Sequence, residues 1–480
     1  MQETKGKSVR GIFWSAIDRI ASQAIQFVIS IVLARLLLPE DFAAVAIVLV
    51  FINILQTINE SGFGLALVQN QQRDESDFST VYYFNILLGF ILYGILFVTA
   101  PLISLFFDQE LTLLLRLLGV NLLASSFVVV HRAILLIRID FKTQAKATTL
   151  GVLISGIAGL ALAWTGYGVY ALAVQSVLNA VVSSWLLWYF TRWRPTASFS
   201  KDRFRLIFAY AWKLVMARLI NDVFQNLYTV VIGKFFPLKQ VGFFNRAVSF
   251  QYLSTNLITQ IVQRVSMPVL CEQQHDDYQM RQTHLKFMMI AALPVFPLLF
   301  GLFVLAEPLV IFLLTARWLP VAYMLQILCP VGLLFVINTF NLNIFNATGR
   351  TDLALKVELY KKIIMVALIV VSLQLGFEAL LYSQIAVAVI ELGFNTWFTR
   401  KLIGLKLSTQ LIYLWPVVLS SAVMALGVWL VIQWISIPLL QLLAGAVTGV
   451  FIYLVLIYLT NAGQVRLQVH ETIRRIKKSK

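Results

Sequence analysis

Polar and charged side chains recur inside an apolar stretch near the start of the chain, over 15–30 (SAIDRIASQAIQFVIS). Five of them fall at helical spacing and therefore share one helix face: Ser15, Arg19, Ser22, Gln26 and Ser30. Lipid cannot satisfy hydrogen bonds, so a polar stripe at this depth must face protein or water. The stripe therefore predicts a binding surface inside a membrane protein, rather than a simple membrane anchor.

The stripe has a second copy 199 positions later. This offset places Arg19 on Arg218, Ser22 on Asn221, Gln26 on Gln225 and Ser30 on Thr229. Repeated halves with a substrate site between them are typical of transporters. We predict a six-helix N-terminal lobe over 1–200 and a six-helix C-terminal lobe over 201–404, followed by two additional helices over 405–463.

Composition sets the class of protein that must position these residues. Of 480 residues, 60% are hydrophobic and 12% are charged, and the mean hydropathy is +0.83. This excludes an ordinary soluble domain. The net charge of +16 comes from short loops and the C-terminal end, so we interpret it as membrane topology and predict no nucleic-acid partner.

The basic tail over 464–480 predicts an amphipathic cytoplasmic helix on anionic lipid, with an unstructured tail as the alternative.

Crossing a bilayer takes about 20 apolar residues, which predicts an all-α polytopic protein with about 14 transmembrane helices. The least apolar of these are 111–137 and 355–375. Lys and Arg concentrate in alternate loops, as in 192–205, so both termini are expected in the cytoplasm and the number of spans is even, 12 or 14. The predicted spans are 11–37, 42–68, 81–106, 111–137, 146–165, 169–190, 206–236, 241–270, 287–314, 321–346, 355–375, 378–399, 411–433 and 438–459.

The first two spans of each half hold most of the polar residues. Because an unpaired charge in the membrane interior is costly, these residues predict a hydrophilic cleft with net positive charge. The planar, forked guanidinium group of arginine suits a substrate that carries phosphate. The alternative is that the pairs Asp18–Arg19 and Arg218–Asp222 only hold helices together, and that Lys213 reaches the interface. The candidate substrate-binding residues are Arg19, Arg218, Arg246, Lys213, Gln26, Gln225, Asn53 and Asn256.

Three acids within the spans are candidates for carrying a coupling proton or Na⁺: Glu60, Asp222 and Glu391. Each can equally neutralise a nearby cation. The two cysteines match no metal or redox spacing, and the four histidines form no cluster. No triad or glycine-rich phosphate loop is evident, so we predict no catalytic residue, metal or cofactor.

Several stretches resemble a known family. They are the 11–15 segment, LARLLLPEDF at 33–42, NESGFGLALVQ at 59–69, VIGKFFPLKQVGFFNRA at 231–247 and FNATGR at 345–350. Over 8–400 the chain resembles the polysaccharide-transporter (Wzx-like) family of the MOP flippase superfamily, and within it the bacterial exopolysaccharide exporters of the colanic-acid type.

The resemblance implies two six-helix lobes around a central cavity that opens alternately to the two sides of the membrane. It implies translocation of undecaprenyl-diphosphate-linked oligosaccharide repeat units across the bacterial inner membrane, for exopolysaccharide or lipopolysaccharide synthesis. Cavity cations would engage the diphosphate, an ion gradient would drive the cycle, and a polymerase would be a partner. Two alternatives remain open: a multidrug or cation antiporter of the same superfamily, and a membrane-embedded polysaccharide polymerase.

Overall fold

A computed structural model describes residues 22–60 and 62–460, and this part of the chain is built from helices without any strand. The all-α prediction is confirmed. The chain divides into two compact units, Met1–Asn245 and Arg246–Lys480. The lobe boundary near residue 200, which rests on the internal sequence offset, stays a prediction.

The first unit contains ten helices within its described residues. They are α1 (Ser22–Leu36), α2 (Pro39–Glu60), α3 (Phe63–Gln69), α4 (Glu75–Phe107), α5 (Thr112–Ser126), α6 (Val129–Ile137), α7 (Phe141–Trp164), α8 (Val169–Thr191), α9 (Lys201–Gln225) and α10 (Leu227–Phe235). The long helix α11 (Leu238–Glu272) begins in this unit and continues into the second.

The remaining helices belong to the second unit. They are α12 (Asp277–Val304), α13 (Ala306–Leu313), a short 3₁₀ turn (Ala316–Trp318), α14 (Pro320–Ala347), α15 (Thr351–Leu375), α16 (Phe377–Ile403), α17 (Leu407–Ile432) and α18 (Pro438–Leu459). The loops are short, so no soluble domain separates these helices.

Local sequence signals set several helix ends. Asp74 caps α4 by accepting a hydrogen bond from the backbone N–H of Asp77, whose side chain accepts in return from the Asp74 N–H. Ser200 caps α9 in a similar way. Between α15 and α16 the chain turns at Gly376, whose φ of 103° suits glycine because it has no Cβ.

Within the described residues, nine helical runs are long and apolar enough to cross a bilayer, the first being Pro39–Gln69. The pair α5 and α6 would make a tenth span, bent by 42° at the break between them. This bend lies in the predicted span 111–137. The predicted count of 14 is not confirmed by these runs and stays a prediction.

Three long helices within predicted spans do not qualify as apolar spans: α9, α11 and α15. Charged and amide side chains lower the mean hydropathy of α9 and α11, and α15 carries three charged residues close together, Glu358, Lys361 and Lys362. In a membrane such helices need protein or water on their polar face. The polar and charged residues that could bind a ligand or an ion are therefore concentrated on α9, α11 and α15, together with the polar face of α2.

The core and the surface are both apolar. In the first unit α7 packs along α8, and in the second unit α14 packs against α12 and α16. Trp318, Phe340 and Phe345 are fully buried in the second unit. Large apolar side chains also cover the exterior, as at Trp434, which is 90% exposed. An apolar exterior on so many long helices is the pattern of a multi-pass membrane protein.

Candidate functional site

The polar face of α2 contacts α9 in the first unit. The Thr57 hydroxyl donates a hydrogen bond to the Asp222 carboxylate. Thr57 also donates to the backbone carbonyl of Asn53, one turn earlier, at 3.0 Å. Asp222, a coupling-ion candidate on α9, is thus held against α2 by a neutral donor.

The structure does not pair Arg218 with Asp222, although they lie four residues apart on α9. No described carboxylate lies within ion-pair distance of Arg218 or of Lys213, and both side chains are exposed. The alternative that Arg218 and Asp222 form an internal ion pair is therefore wrong, because the Asp222 carboxylate turns to Thr57 instead. Two cations of α9 remain available to a ligand.

Glu60, at the end of α2, pairs with Arg132 of α6. Arg132 Nη1 lies 2.8 Å from Glu60 Oε2. The Arg132 side chain is 43% exposed and that of Glu60 is 32% exposed. A pair this accessible is held weakly. Glu60 thus has a cation partner that the sequence pattern did not identify.

The remaining candidates of the first unit lie on exposed helix faces. Gln26 of α1, Asn53 of α2 and Gln225 of α9 are all exposed. On the α1 stripe, Ser22 shares a hydrogen bond of 2.9 Å with Thr149 of α7. Arg19 lies outside the described residues, so its predicted role stays a prediction.

In the second unit Glu391 belongs to a cluster of four charged residues between α15 and α16. Lys361 Nζ donates to Glu358 Oε1 at 2.6 Å and lies 3.6 Å from Glu391 Oε1. Lys362 Nζ lies 3.9 Å from Glu358 Oε2. Lys361 is only 6% exposed. Two ammonium groups and two carboxylates therefore balance each other inside an apolar helix pair.

Arg246 and Asn256 lie on α11. The Arg246 guanidinium lies 5.8 Å from the ring centre of the buried Trp318, which is within cation–π range. Asn256 is half-buried, and its amide donates to the Thr255 hydroxyl at 3.5 Å. Arg246 is thus held against an aromatic ring, unlike the exposed cations of α9.

Two residues that contact the candidate acids and cations escaped the sequence analysis. Arg132 follows His131 inside a bent, weakly apolar span, and its partner Glu60 is distant in sequence. Glu358 precedes Lys361 and Lys362 by three and four residues, a spacing that brings side chains together on a helix. That spacing was a usable signal for Glu358, whereas Arg132 had none.

The arrangement suits the binding and movement of charge. Exposed arginine and lysine on α9 match the chemistry of phosphate oxygens. The carboxylates of Asp222, Glu60 and Glu391 each contact a hydroxyl or a cation. Among the described residues, no group of three or more His, Cys, Asp or Glu side chains is placed to hold a metal ion.

A family model described as "Polysaccharide biosynthesis protein" matches residues 32–323. The chain belongs to this family. The match covers more than half of the chain, including the polar face of α2 and all of α9 and α11. The resemblance stated from the short sequence stretches is confirmed.

Curated relatives come from several bacteria. The chain is 26% identical to the succinoglycan biosynthesis transport protein ExoT of Rhizobium meliloti (strain 1021), over 95% of this chain and 94% of that protein. It is 26% identical to the teichuronic acid biosynthesis protein TuaB of Bacillus subtilis (strain 168), over 72% of each chain. It is 25% identical to the lipopolysaccharide biosynthesis protein WzxC of Escherichia coli (strain K12), over 77% of this chain and 76% of that protein.

Solved structures show the same fold. The lipid II flippase MurJ, in an inward closed conformation, matches with a TM-score of 0.77 and 14% identity, over 95% of this chain and 100% of that chain. An inward-facing multidrug resistance MATE transporter of the MOP superfamily matches with a TM-score of 0.61 and 17% identity, over 80% of this chain and 98% of that chain. At these identities the likeness supports the fold alone.

Proposed function

We propose that the protein is an inner-membrane flippase that translocates undecaprenyl-diphosphate-linked oligosaccharide repeat units for exopolysaccharide or lipopolysaccharide synthesis. The family match and a near full-length relative named as a transport protein support this class. The observation that carries the assignment to a phosphate-bearing substrate is the exposure of Arg218 and Lys213 on α9, with no described carboxylate in ion-pair distance.

In this proposal these cations engage the diphosphate, and the neutral polar candidates contact the sugars. Arg218 provides a planar fork that binds phosphate oxygens in pairs, while Lys213 adds a second charge one to two turns away on α9. Arg19 and Arg246 extend the same chemistry to the first and eighth predicted spans. The neutral contributors are Gln26, Gln225, Asn53 and Asn256.

Transport proceeds by ion-coupled alternating access, in which a bound ligand shifts the balance between two states by its different affinity for each. Asp222, Glu60 and Glu391 are the coupling-ion candidates. Protonation or Na⁺ binding at such a carboxylate releases the hydroxyl or ammonium partner that it now holds. The protein acts as a transporter and not as an enzyme.

Both termini face the cytoplasm in this proposal, since basic residues concentrate in the loops on that side. The C-terminal tail over 464–480, outside the described residues, binds anionic lipid at the same face. A polymerase that consumes the translocated repeat unit is the expected partner on the opposite side.

The test is made in cells that keep their glycosyltransferases but lack this gene. The lipid-linked repeat unit should accumulate with its sugar facing the cytoplasm. Wild-type protein should relieve the accumulation, whereas Arg218→Ala at equal protein level should not. Arg205→Ala is the matched control, because Arg205 is an exposed cation on the same helix, outside the candidate set.

Two outcomes would contradict the proposal. Normal translocation with a defect only in polymer length would assign the protein to polymerisation. An unchanged lipid-linked pool, together with drug resistance on overexpression, would favour the multidrug antiporter alternative.

A further inference from the structure

The first unit carries an open apolar groove of about 650 Å³ between α4, α5 and α8. Its walls are almost entirely apolar and aromatic, formed by residues such as Phe127, Val181, Trp185 and Trp188. Val181 is 43% exposed and Trp185 is 59% exposed. The groove lies toward the start of α4 and the ends of α5 and α8, which the loop charges predict to be the cytoplasmic end.

A second cavity, of about 750 Å³, lies beside this groove and has the opposite character. Three arginines line it, Arg138, Arg192 and Arg194, with a single carboxylate, Glu75. The two cavities adjoin because Arg194 stacks on Trp188 of the groove, 3.2 Å from the ring centre, and Trp193 contacts Tyr82 with ring centres 5.5 Å apart.

The positive charge of the second cavity is not neutralised by its own carboxylate. Both oxygens of Glu75 accept from the indole N–H of Trp193 at 3.1 Å, and one accepts from Ser79 at 3.3 Å. Within the part of the chain that the structure describes, none of the three arginines forms an ion pair. Neutral donors thus occupy the acid. Arg194 is held in place by donating to the backbone carbonyls of Trp188 and Trp193 at 3.1 and 2.7 Å. Its positive charge, together with those of Arg138 and Arg192, is left to attract an anion.

We propose that the two cavities together bind one anionic phospholipid, with its phosphate head at the arginines and an acyl chain in the aromatic groove. Charged donors on phosphate give short, strong hydrogen bonds, and aromatic rings at the membrane interface suit the glycerol region. None of the proposed substrate-binding residues lines either cavity, so this site is distinct from the one proposed for the diphosphate.

The dimensions of the groove favour a phospholipid over the longer polyprenyl carrier. Val181 and Trp188 lie seven residues apart on α8, about 10 Å along the helix axis. Half of a bilayer's hydrocarbon core is about 15 Å thick. The groove therefore matches an acyl chain within one leaflet and would leave most of a polyprenyl chain outside.

Native mass spectrometry of the full-length protein tests this, with phosphatidylglycerol and phosphatidylcholine added separately at known concentration. We expect wild type to bind phosphatidylglycerol about tenfold more tightly than phosphatidylcholine, given the strength of charge-assisted bonds. The double variant Arg138→Gln, Arg192→Gln should lose this preference. Val181→Trp, which fills an exposed part of the groove, should weaken binding of both lipids. Arg205→Gln should bind as wild type does.

Three results would overturn the proposal: equal affinity for both lipids in wild type, an unchanged preference in the double arginine variant, or displacement of phosphatidylglycerol by a lower concentration of undecaprenyl diphosphate. Thermal unfolding of each variant reports whether it is folded, and Val181→Trp leaves every arginine in place. The assay measures lipid binding and not flipping, so its failure is separable from failure of the proposed function.

Discussion

In the first unit Arg218 and Lys213 of α9 stay at the surface, whereas in the second unit Lys361 of α15 is buried beside two carboxylates. Arg218 and Lys213 have no described carboxylate within reach, while Lys361 contacts both Glu358 and Glu391. In the proposed function these two arrangements have different roles. The exposed cations bind the charged substrate, and the neutralised cluster contains a coupling-ion candidate, Glu391.

The largest effect is expected in the second unit, from Lys361→Ala. Removal of the buried ammonium leaves Glu391 without its cation partner and Glu358 with only the 3.9 Å contact to Lys362, which should lower the free energy of unfolding by about 3–5 kcal/mol. Thermal unfolding in detergent measures this loss. The double variant Lys361→Ala, Glu391→Gln should recover part of it, and no loss in the single variant would show that the cluster is solvated rather than buried.

Arg218→Ala should mainly affect transport. Loss of charge-assisted bonds to phosphate is expected to lower flipping by about tenfold to a hundredfold. Stability should change by less than about 0.5 kcal/mol, because the side chain is exposed. A flipping assay and a melting curve on the same preparation separate the two effects. Arg218→Lys should retain part of the activity. A fall in the melting temperature of Arg218→Ala as large as that of Lys361→Ala would show that Arg218 contributes to stability as the buried Lys361 does.

A smaller effect is expected where α2 meets α9. Thr57→Val removes the hydroxyl that donates to Asp222 and should cost about 1 kcal/mol of stability. A double-mutant cycle with Asp222→Asn measures the coupling between the two residues. Strictly additive losses would show that the Thr57–Asp222 contact does not join these helices.

The smallest effect is expected for the Glu60–Arg132 pair, whose side chains are both about one-third or more exposed. The coupling energy from Glu60→Gln and Arg132→Gln should be below about 1 kcal/mol and should fall with added salt. A coupling as strong as that of Lys361 with Glu391 would mean that the Glu60–Arg132 pair is shielded from solvent as Lys361 is.

Most of the helices could be predicted from the lengths of the apolar segments alone. An apolar segment in lipid forms a helix because a helix satisfies its own backbone hydrogen bonds. The polar helices were also foreseeable: Arg218 and Glu391 stood out as charges within predicted spans. The bend between α5 and α6 was not foreseen, and neither were the helix breaks at Asn226 and Leu305. These depend on packing between helices.

Side-chain partners were the least predictable part of the site. Spacing suggested Arg218–Asp222, but spacing describes only one helix, and the hydroxyl that Asp222 contacts comes from α2. Arg132 meets Glu60 across 72 positions of sequence. Contacts of this kind are set by tertiary packing, whereas the Glu358–Lys361 contact is local and its spacing predicts it.

Reconstitution tests the central claim most directly. Purified protein in liposomes should move an undecaprenyl-diphosphate-linked oligosaccharide between leaflets, measured by the access of an external glycosidase to the sugar. We predict flipping by wild type and by Arg205→Ala, and little by Arg218→Ala at an unchanged melting temperature. Flipping by Arg218→Ala at the wild-type rate would contradict the assignment of the α9 cations to the diphosphate, and no flipping by wild type under an imposed H⁺ or Na⁺ gradient would contradict the proposed function.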